Sequence, residues 1–280
     1  MTPDRGAAQR GSLIVAGTGI RCAGQLTTEA LAWMRRADKL LYLVRDPVAQ
    51  EAIRQLNAGS ESLDDLYADG KPRRATYEQM VERILDRVRA GFVTVLAVYG
   101  HPAIFVRCTH ESVRRARAEG FEATMLPAVS AEDCLFADLG VDPASHGCQS
   151  YDATDFFIHG RRVDTTSAVV LWQIGVFGEW TYRPQGNVAA IPLLVERLLT
   201  DYPPDHVVYV YEAAVLPGCE PFVSPVPLAA LGQAWIPPMS TLYIPPARPT
   251  VLDPYAYGRL TSAGSRTQGA PSGRAETASG

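Results

Sequence analysis

The sequence lacks the features that mark a secreted, membrane-spanning or metal-stapled protein. Its five cysteines contain no C-x-x-C pair and are odd in number, so neither a zinc site nor a disulfide framework is indicated. No apolar run approaches the length of a bilayer-spanning helix. The first residues, Met-Thr-Pro-Asp-Arg-Gly, contain no apolar core of a secretory signal. These absences predict a soluble, cytoplasmic protein that does not engage a membrane.

The sequence also lacks an excess of basic residues. It has 26 Lys and Arg against 30 Asp and Glu, a formal net charge of −4. A non-specific nucleic-acid binder needs a basic face that neutralises phosphates. A local basic run at residues 114–117 lies between Glu111 and Glu119 and is typical of a solvated helix face. We therefore expect no nucleic-acid partner.

What the chain does contain is an alternation of apolar strands and amphipathic helices. Its 280 residues, 47% of them hydrophobic, are enough for two α/β domains. A mostly parallel sheet covered by helices is predicted for the first half, because strands and helices alternate there. The predicted strands of that half are residues 12–16, 39–44, 92–98 and 123–126. The second half contains predicted strands at 167–173, 207–212 and 240–244 and a helix at 188–199.

The composition changes near residues 140–147, where Gly, Asp, Pro and Ser cluster, and we place a domain boundary there. The predicted organisation is a flexible N-terminus (1–11), an N-terminal α/β domain with the catalytic loop (12–144), a C-terminal α/β domain (145–248) and a disordered tail (249–280). Residues 59–75 of the first domain are predicted to form a long loop. The loop is predicted to end at a capping box formed by Thr76 and Gln79.

Three strand-to-helix turns carry residues suited to a ligand. The Gly-Thr-Gly turn at 17–19 indicates only a tight turn or a close approach to a ligand, because Cys22 replaces a glycine of the dinucleotide fingerprint. Residues 99–105, Tyr-Gly-His-Pro-Ala-Ile-Phe, follow the most apolar strand, at the sheet edge where ligands bind. We assign His101 to binding or orientation rather than to catalysis. The third turn comprises residues 127–132, Pro-Ala-Val-Ser-Ala-Glu. Two roles are open for it: Ser130 caps the following helix, or the backbone N–H groups of the turn bind a carboxylate.

These three motifs, in this order, resemble those of the tetrapyrrole (corrin and porphyrin) methylase superfamily. The resemblance implies two α/β domains with S-adenosylmethionine in the cleft between them. The chain departs from the superfamily at two points. Gly100-His101-Pro102 replaces the usual Gly-Asp-Pro, and the glycine turn runs into Ile20-Arg21-Cys22 where the superfamily usually has an acid.

The departures fit one branch, the borosin peptide backbone α-N-methyltransferases, to which the chain is similar from about residue 12 to residue 246. The matching stretches are residues 71–80, 99–105, 125–133, 135–143, 171–175 and 211–213. The resemblance implies S-adenosylmethionine as cofactor, S-adenosylhomocysteine as product and no metal. The cofactor-binding positions that it implies are Tyr99, His101, Ile104, Phe105, Ser130, Ala131, Gln173, Tyr211, Ser240 and Thr241.

The resemblance also implies catalytic roles for Tyr67, Arg73 and Tyr77. A peptide nitrogen is a poor nucleophile because its lone pair is delocalised into the carbonyl, so its methylation needs a base near the nitrogen and a donor near the oxygen. Arg73 is expected to stabilise the imidate oxygen and to favour the phenolate of a neighbouring tyrosine. Tyr77 or Tyr67 is expected to take the amide proton, directly or through water. The alternatives are that Tyr77 only packs within its helix and that Arg73 is a solvated loop cation.

For the substrate, the resemblance implies a peptide. In fungal members that peptide is fused behind a helical clasp domain, for which the chain after Pro246 is too short. We therefore expect the stand-alone, split bacterial type, a homodimer acting on a separate precursor peptide with a helical leader and an apolar core. The rival interpretations are a tetrapyrrole C-methyltransferase, which has no need of amide-activating residues, and a binding protein that has lost activity.

Overall fold

The structure, a computed structural model, describes residues 11–267. The predicted flexible N-terminus lies outside the described residues apart from Gly11. Residues up to Ala247 form one compact unit, and a second unit begins at Arg248. Within residues 11–267, no helix combines the length and apolar character that crossing a bilayer requires.

The first sheet of the larger unit has five parallel strands. They are β1 (Ser12–Gly17), β2 (Lys39–Leu43), β3 (Glu61–Ser62), β4 (Val93–Val98) and β5 (Glu122–Met125). Their order across the sheet is β3-β2-β4-β1-β5, and every pairing is parallel. The central strand β4 is buried at five of its six residues, as expected for a strand that is apolar on both faces. The predicted parallel sheet is confirmed.

Helices cover both faces of this sheet. They are α1 (Cys22–Gln25), α2 (Thr28–Arg36), α3 (Pro47–Leu56), α4 (Arg73–Arg89) and α5 (Arg107–Ala118). The next helix, α6 (Ala131–Leu139), packs its buried Leu135 in a cluster with strands of the second sheet. Leu13 and Val15 of β1 pack against α4 and α5, and the intervening Ile14 packs against α2 and α3. The side chains of Thr27, Asp46 and Ser130 each accept a backbone N–H at the start of α2, α3 and α6, as such residues commonly do at an N-cap.

The second sheet follows a short helix, α7 (Pro143–His146), and is mostly antiparallel. Its strands and flanking helices are β6 (Cys148–Asp152), α8 (Ala153–Ile158), β7 (Ala168–Trp172), α9 (Ile191–Leu198), β8 (Val207–Glu212), β9 (Phe222–Pro227) and β10 (Thr241–Ile244). The order is β6-β7-β10-β8-β9, and only β6 and β7 pair in parallel. The sequence does not predict the two edge strands. β6 is polar, and β9 contains Pro225 and Pro227, which an edge strand tolerates.

The predicted loop at residues 59–75 is shorter and more ordered than expected. It contains β3 and a 3-10 turn at Asp64–Leu66, and α4 already begins at Arg73. The predicted capping box is therefore wrong. Thr76 lies inside the helix, fully buried, and its hydroxyl has no partner among the described residues. Pro72, whose φ of −57° suits a helix entrance, precedes the first turn instead.

The second unit contains a helix where the composition predicts disorder. Helix α10 (Pro254–Thr267) starts at an Asp-Pro pair, and the Asp253 carboxylate accepts the backbone N–H groups of Tyr255 and Ala256. The Asp253-Pro254 pair is a typical signal for a helix start, and the overall composition of the segment does not reveal it. The remainder of the predicted tail, from residue 268, lies outside the described residues.

Candidate active site

Two glycine turns meet at the carboxyl edge of the first sheet. The turn after β1 and the turn after β4 are joined by a hydrogen bond from Gly100 N to Gly19 O of 3.0 Å. A Cβ on Gly17 would lie 2.1 Å from Gly100 O, so only glycine allows this approach. The close contact of the two turns forms one wall of a cleft.

The cleft has a volume of about 180 Å³ and is lined by residues of both halves of the chain. Nine of the ten residues predicted to bind a cofactor line it: Tyr99, His101, Ile104, Phe105, Ser130, Ala131, Gln173, Tyr211 and Thr241. The tenth, Ser240, is fully buried and does not line the cleft, and its hydroxyl has no partner among the described residues. The fold therefore gathers the predicted set in space, and its binding role stays a prediction.

Two of the lining residues have a strained backbone. Phe105 has a φ of 54° and Gln173 a φ of 61°. Within residues 11–267 they are the only non-glycine residues with positive φ. Such conformations persist only where the surroundings impose them, and they cluster at ligand sites. Their shared location points to this cleft as the functional one.

Several polar groups of the cleft are already committed to partners within the protein. His101 Nδ1 accepts the N–H of Ala103 at 3.1 Å, which fits the predicted orienting role. Ser130 and Asp133 form a reciprocal capping box, so this turn does cap its helix. The hydroxyl of Tyr211 donates to Asp138 at 2.7 Å, so that tyrosine has its hydroxyl satisfied.

Two further lining residues of chemical interest, Glu212 and Trp172, are not among the predicted binding positions. Glu212 directly follows the predicted Tyr211, and its Oε2 is buried without a hydrogen-bond partner among the described residues. Burial raises the pKa of this carboxyl above its ordinary value. Trp172 stacks on Phe105 with ring centroids 5.6 Å apart and donates to Ser150. Both lie at the ends of predicted strands, which is the signal that locates such a site.

The three predicted catalytic residues lie close to one another. Tyr67 follows the 3-10 turn, Arg73 is the first residue of α4, and Tyr77 lies one turn further along the helix. The hydroxyls of Tyr67 and Tyr77 are close enough to influence each other's pKa. None of the three lines the cleft itself. Val106 lines the cleft and, like both tyrosines, packs against the core cluster under α4 and α5.

Burial dominates the electrostatics of the tyrosine pair. It raises the pKa of Tyr67 and of Tyr77 above the usual tyrosine value. The charge of Arg73 lowers the pKa of Tyr77, as expected, but this effect is smaller than that of burial. The expected phenolate is therefore not favoured at neutral pH in the ligand-free protein, because desolvation outweighs the nearby guanidinium.

Backbone hydrogen bonds tie the segment around Arg73 to the second half of the chain. Arg73 N donates to Trp180 O at 3.2 Å, and its Nε donates to Thr181 O at 3.1 Å. Gly70 N donates to Tyr182 O, and Tyr182 N donates to Lys71 O. Arg73 is half-buried and held on its backbone and its side chain. It is not a freely solvated loop cation.

Comparison with known proteins identifies the family. The model of the family described as Tetrapyrrole (Corrin/Porphyrin) Methylases matches residues 12–219, well over half of the chain. The chain belongs to the tetrapyrrole methylase family. The glycine turns, the 99–105 segment and the residue 127–132 turn that form the cleft all lie within the matched range.

Among curated tetrapyrrole methylase relatives, the chain is similar to methyltransferases named together with cyclic-peptide precursors. It is 42% identical over 241 residues to the methyltransferase/ribosomally synthesized cyclic peptide dendrothelin A precursor of Dendrothele bispora, covering 84% of this chain and 58% of that protein. It is 39% identical over 248 residues to a type I borosin cyclic peptide precursor of Coprinopsis marcescibilis, covering 86% and 63%. The chain thus spans about three fifths of the length of these relatives.

Solved structures support the tetrapyrrole methylase fold. Uroporphyrin-III-C-methyltransferase from Thermus thermophilus superposes with a TM-score of 0.61 at 20% identity, over 90% of this chain and 96% of that one. Cobalt precorrin-4 methyltransferase gives 0.61 at 16% identity, over 88% and 98%. The similarity at this identity concerns the fold, and the predicted α/β fold of the tetrapyrrole methylase type, here with two sheets, is confirmed.

Proposed function

We propose that this chain is an S-adenosylmethionine-dependent methyltransferase that methylates backbone amide nitrogens of a ribosomally made precursor peptide. One observation carries the proposal. Two partly buried tyrosines, Tyr67 and Tyr77, have neighbouring hydroxyls near Arg73, and both pack against the same core cluster as Val106 of the cleft lining. Methylation of a tetrapyrrole carbon does not require such a set. The family match and the names of the curated relatives also support the proposal.

The cleft is chemically suited to S-adenosylmethionine, which would supply an activated methyl group. Ile104, Phe105 and Trp172 offer apolar and aromatic surface for an adenine ring. Glu212 offers a carboxylate with an unpaired buried oxygen to a ligand that carries positive charge. Ser130, Ala131 and Thr241 complete the wall.

The proposed chemistry transfers one methyl group and releases one proton. The peptide nitrogen forms the new N–C bond as the S–C bond breaks, and S-adenosylhomocysteine leaves. Arg73, held on the carbonyls of Trp180 and Thr181, donates to the amide oxygen as negative charge develops there. The amide proton passes to the Tyr67–Tyr77 pair and on to water. The raised pKa of both phenols favours a relay of this proton over a phenolate stored in the resting enzyme.

The experiment is a methylation assay with a substrate supplied as a separate chain. The purified protein is incubated with S-adenosylmethionine and a precursor peptide that has a helical leader and an apolar core, encoded beside its own gene. Tandem mass spectrometry then locates added methyl groups. We expect steps of one methyl group on backbone nitrogens. Methylation of uroporphyrinogen III offered in parallel, with an unmodified peptide, would show that the proposal is wrong.

A further inference from the structure

A second arginine, Arg45, lies near the tyrosine pair. It follows β2 at the carboxyl edge of the first sheet, between buried Val44 and the helix cap Asp46. Gln50 of α3 donates to Val44 O at 2.8 Å and to Asp64 Oδ2 at 3.2 Å, which fixes the backbone at this point to the 3-10 turn. The backbone next to Arg45 is therefore held in place, although the residue is exposed.

The guanidinium of Arg45 lies over two stacked tyrosine rings. Its Cζ is 5.4 Å from the ring centroid of Tyr67 and 5.0 Å from that of Tyr182. The two rings lie 4.6 Å apart and are tilted by 32°. Both distances are within the range of a cation–π interaction. Tyr67 belongs to the first half of the chain and Tyr182 to the second, so one cation bridges them.

The charges around this contact are few. Burial raises the pKa of Tyr67 and Tyr77, and the positive charge of Arg45 opposes that effect at both hydroxyls. Arg73 acts on Tyr77 in the same direction, and the buried thiol of Cys108 acts in the opposite one. On the other side of Arg45 lies Asp64, whose pKa burial raises and Arg45 lowers.

We propose that Arg45 is a positioning residue of the methyl-transfer site: it holds the Tyr67 ring against Tyr182 and keeps a permanent positive charge beside the Tyr67–Tyr77 pair. This inference rests on the proposed function. Arg73 donates to the amide oxygen, whereas Arg45 places its positive charge beside the two tyrosine hydroxyls that take up the amide proton. Loss of the cation removes the charge that stabilises the transient anionic character of the pair as it passes a proton on to water. It also removes the contact that holds the Tyr67 ring against Tyr182.

The test compares Arg45→Met with Arg45→Lys. Methionine keeps much of the stem and removes the charge, whereas lysine keeps the charge. We expect kcat of Arg45→Met to fall about 10- to 100-fold, with KM for peptide and for S-adenosylmethionine changed less than about threefold. Arg45→Lys should recover most of the loss. The matched control is Arg161→Met, which removes a guanidinium 5.4 Å from the Tyr151 ring, away from the cleft.

Hydrogen–deuterium exchange gives a second readout that needs no substrate. The amides of Gly70, Arg73 and Tyr182 donate across the two segments, and their exchange should accelerate several-fold in Arg45→Met but not in Arg161→Met. If kcat and exchange in Arg45→Met both match the wild type, the inference is wrong while the proposed function stands. If exchange accelerates but the wild-type protein methylates no peptide, the proposed function fails and the contact itself is upheld.

Discussion

At the scale of single residues, the hydroxyl of Tyr77 carries the most specific claim of the proposed chemistry. We expect Tyr77→Phe to lower kcat about 100- to 1000-fold, because the proton relay loses a member while the ring still packs in its cluster. Single-turnover rates measured by mass spectrometry would check this. Tyr202→Phe is the control, since it removes a buried tyrosine hydroxyl away from the site that has no partner among the described residues. Equal rates for the two variants would refute the relay.

A second prediction at this scale concerns Glu212. We expect Glu212→Gln to weaken S-adenosylmethionine binding about tenfold, because the amide loses the attraction of a carboxylate for a cationic ligand. Calorimetric titration measures the affinity directly. Glu220→Gln removes an exposed carboxylate from the segment after the same strand and should bind like the wild type. Equal affinities for both variants would mean that Glu212 does not face the ligand.

At the scale of elements, the meeting of the two glycine turns should be sensitive to a single methyl group. Gly17→Ala would place a Cβ 2.1 Å from Gly100 O, where the backbone must move. We expect a loss of about 2–4 kcal/mol in the free energy of unfolding, measured with urea. Gly24→Ala meets nothing within 4 Å and should change stability by less than about 1 kcal/mol. Similar midpoints for both would contradict the close approach.

Local sequence signals predicted some elements well and could not predict others. The Asp46-Pro47 start of α3 and the Ser130 cap of α6 are set by residues next to each other, and both are present. The regular structure of residues 70–73 depends instead on hydrogen bonds to residues 180–182, which lie more than a hundred positions later in the chain. The prediction of a capping box at Thr76 and Gln79 was wrong for a related reason, since it also used only neighbouring residues. The hydroxyl of Thr76 faces the core, where tertiary packing overrides the local pattern.

The candidate site was predictable to a similar, limited extent. The motif resemblance located nine of the cleft residues, because they follow strands whose ends the fold brings together. Glu212, Trp172 and Arg45 carry no motif of their own. Their importance depends on residues that are distant in sequence and become neighbours only in the folded chain.

At the scale of the whole molecule, three partly buried tyrosines predict that the protein is destabilised in alkali. Burial raises the pKa values of Tyr67, Tyr77 and Tyr99, so the folded state binds these protons more tightly than the unfolded state. Their stabilisation is complete below the unfolded value of about 10 and is lost as pH rises through that value toward the folded one. The thiols of Cys108 and Cys148, whose pKa values burial raises to about 11, act in the same direction.

We therefore expect the urea midpoint to fall steadily as pH rises from about 9 to about 11. Tyr99→Phe should make this decline shallower, because one proton-linked group is removed. Tyr255→Phe, at an exposed position of the second unit, should leave the slope of the decline as in the wild type. A midpoint independent of pH over this interval would contradict the burial of the phenols.

The tie between Arg73 and Trp180 also supplies an optical reporter. The carbonyl of Trp180 holds the first amide of α4, while its indole is 65% exposed to solvent. Separation of the two segments would move this indole relative to Arg73, and tryptophan emission responds to such changes. With the exposed Trp235 replaced by phenylalanine to reduce background, the fluorescence of the unlabelled protein can report whether residues 70–73 separate from residues 180–182.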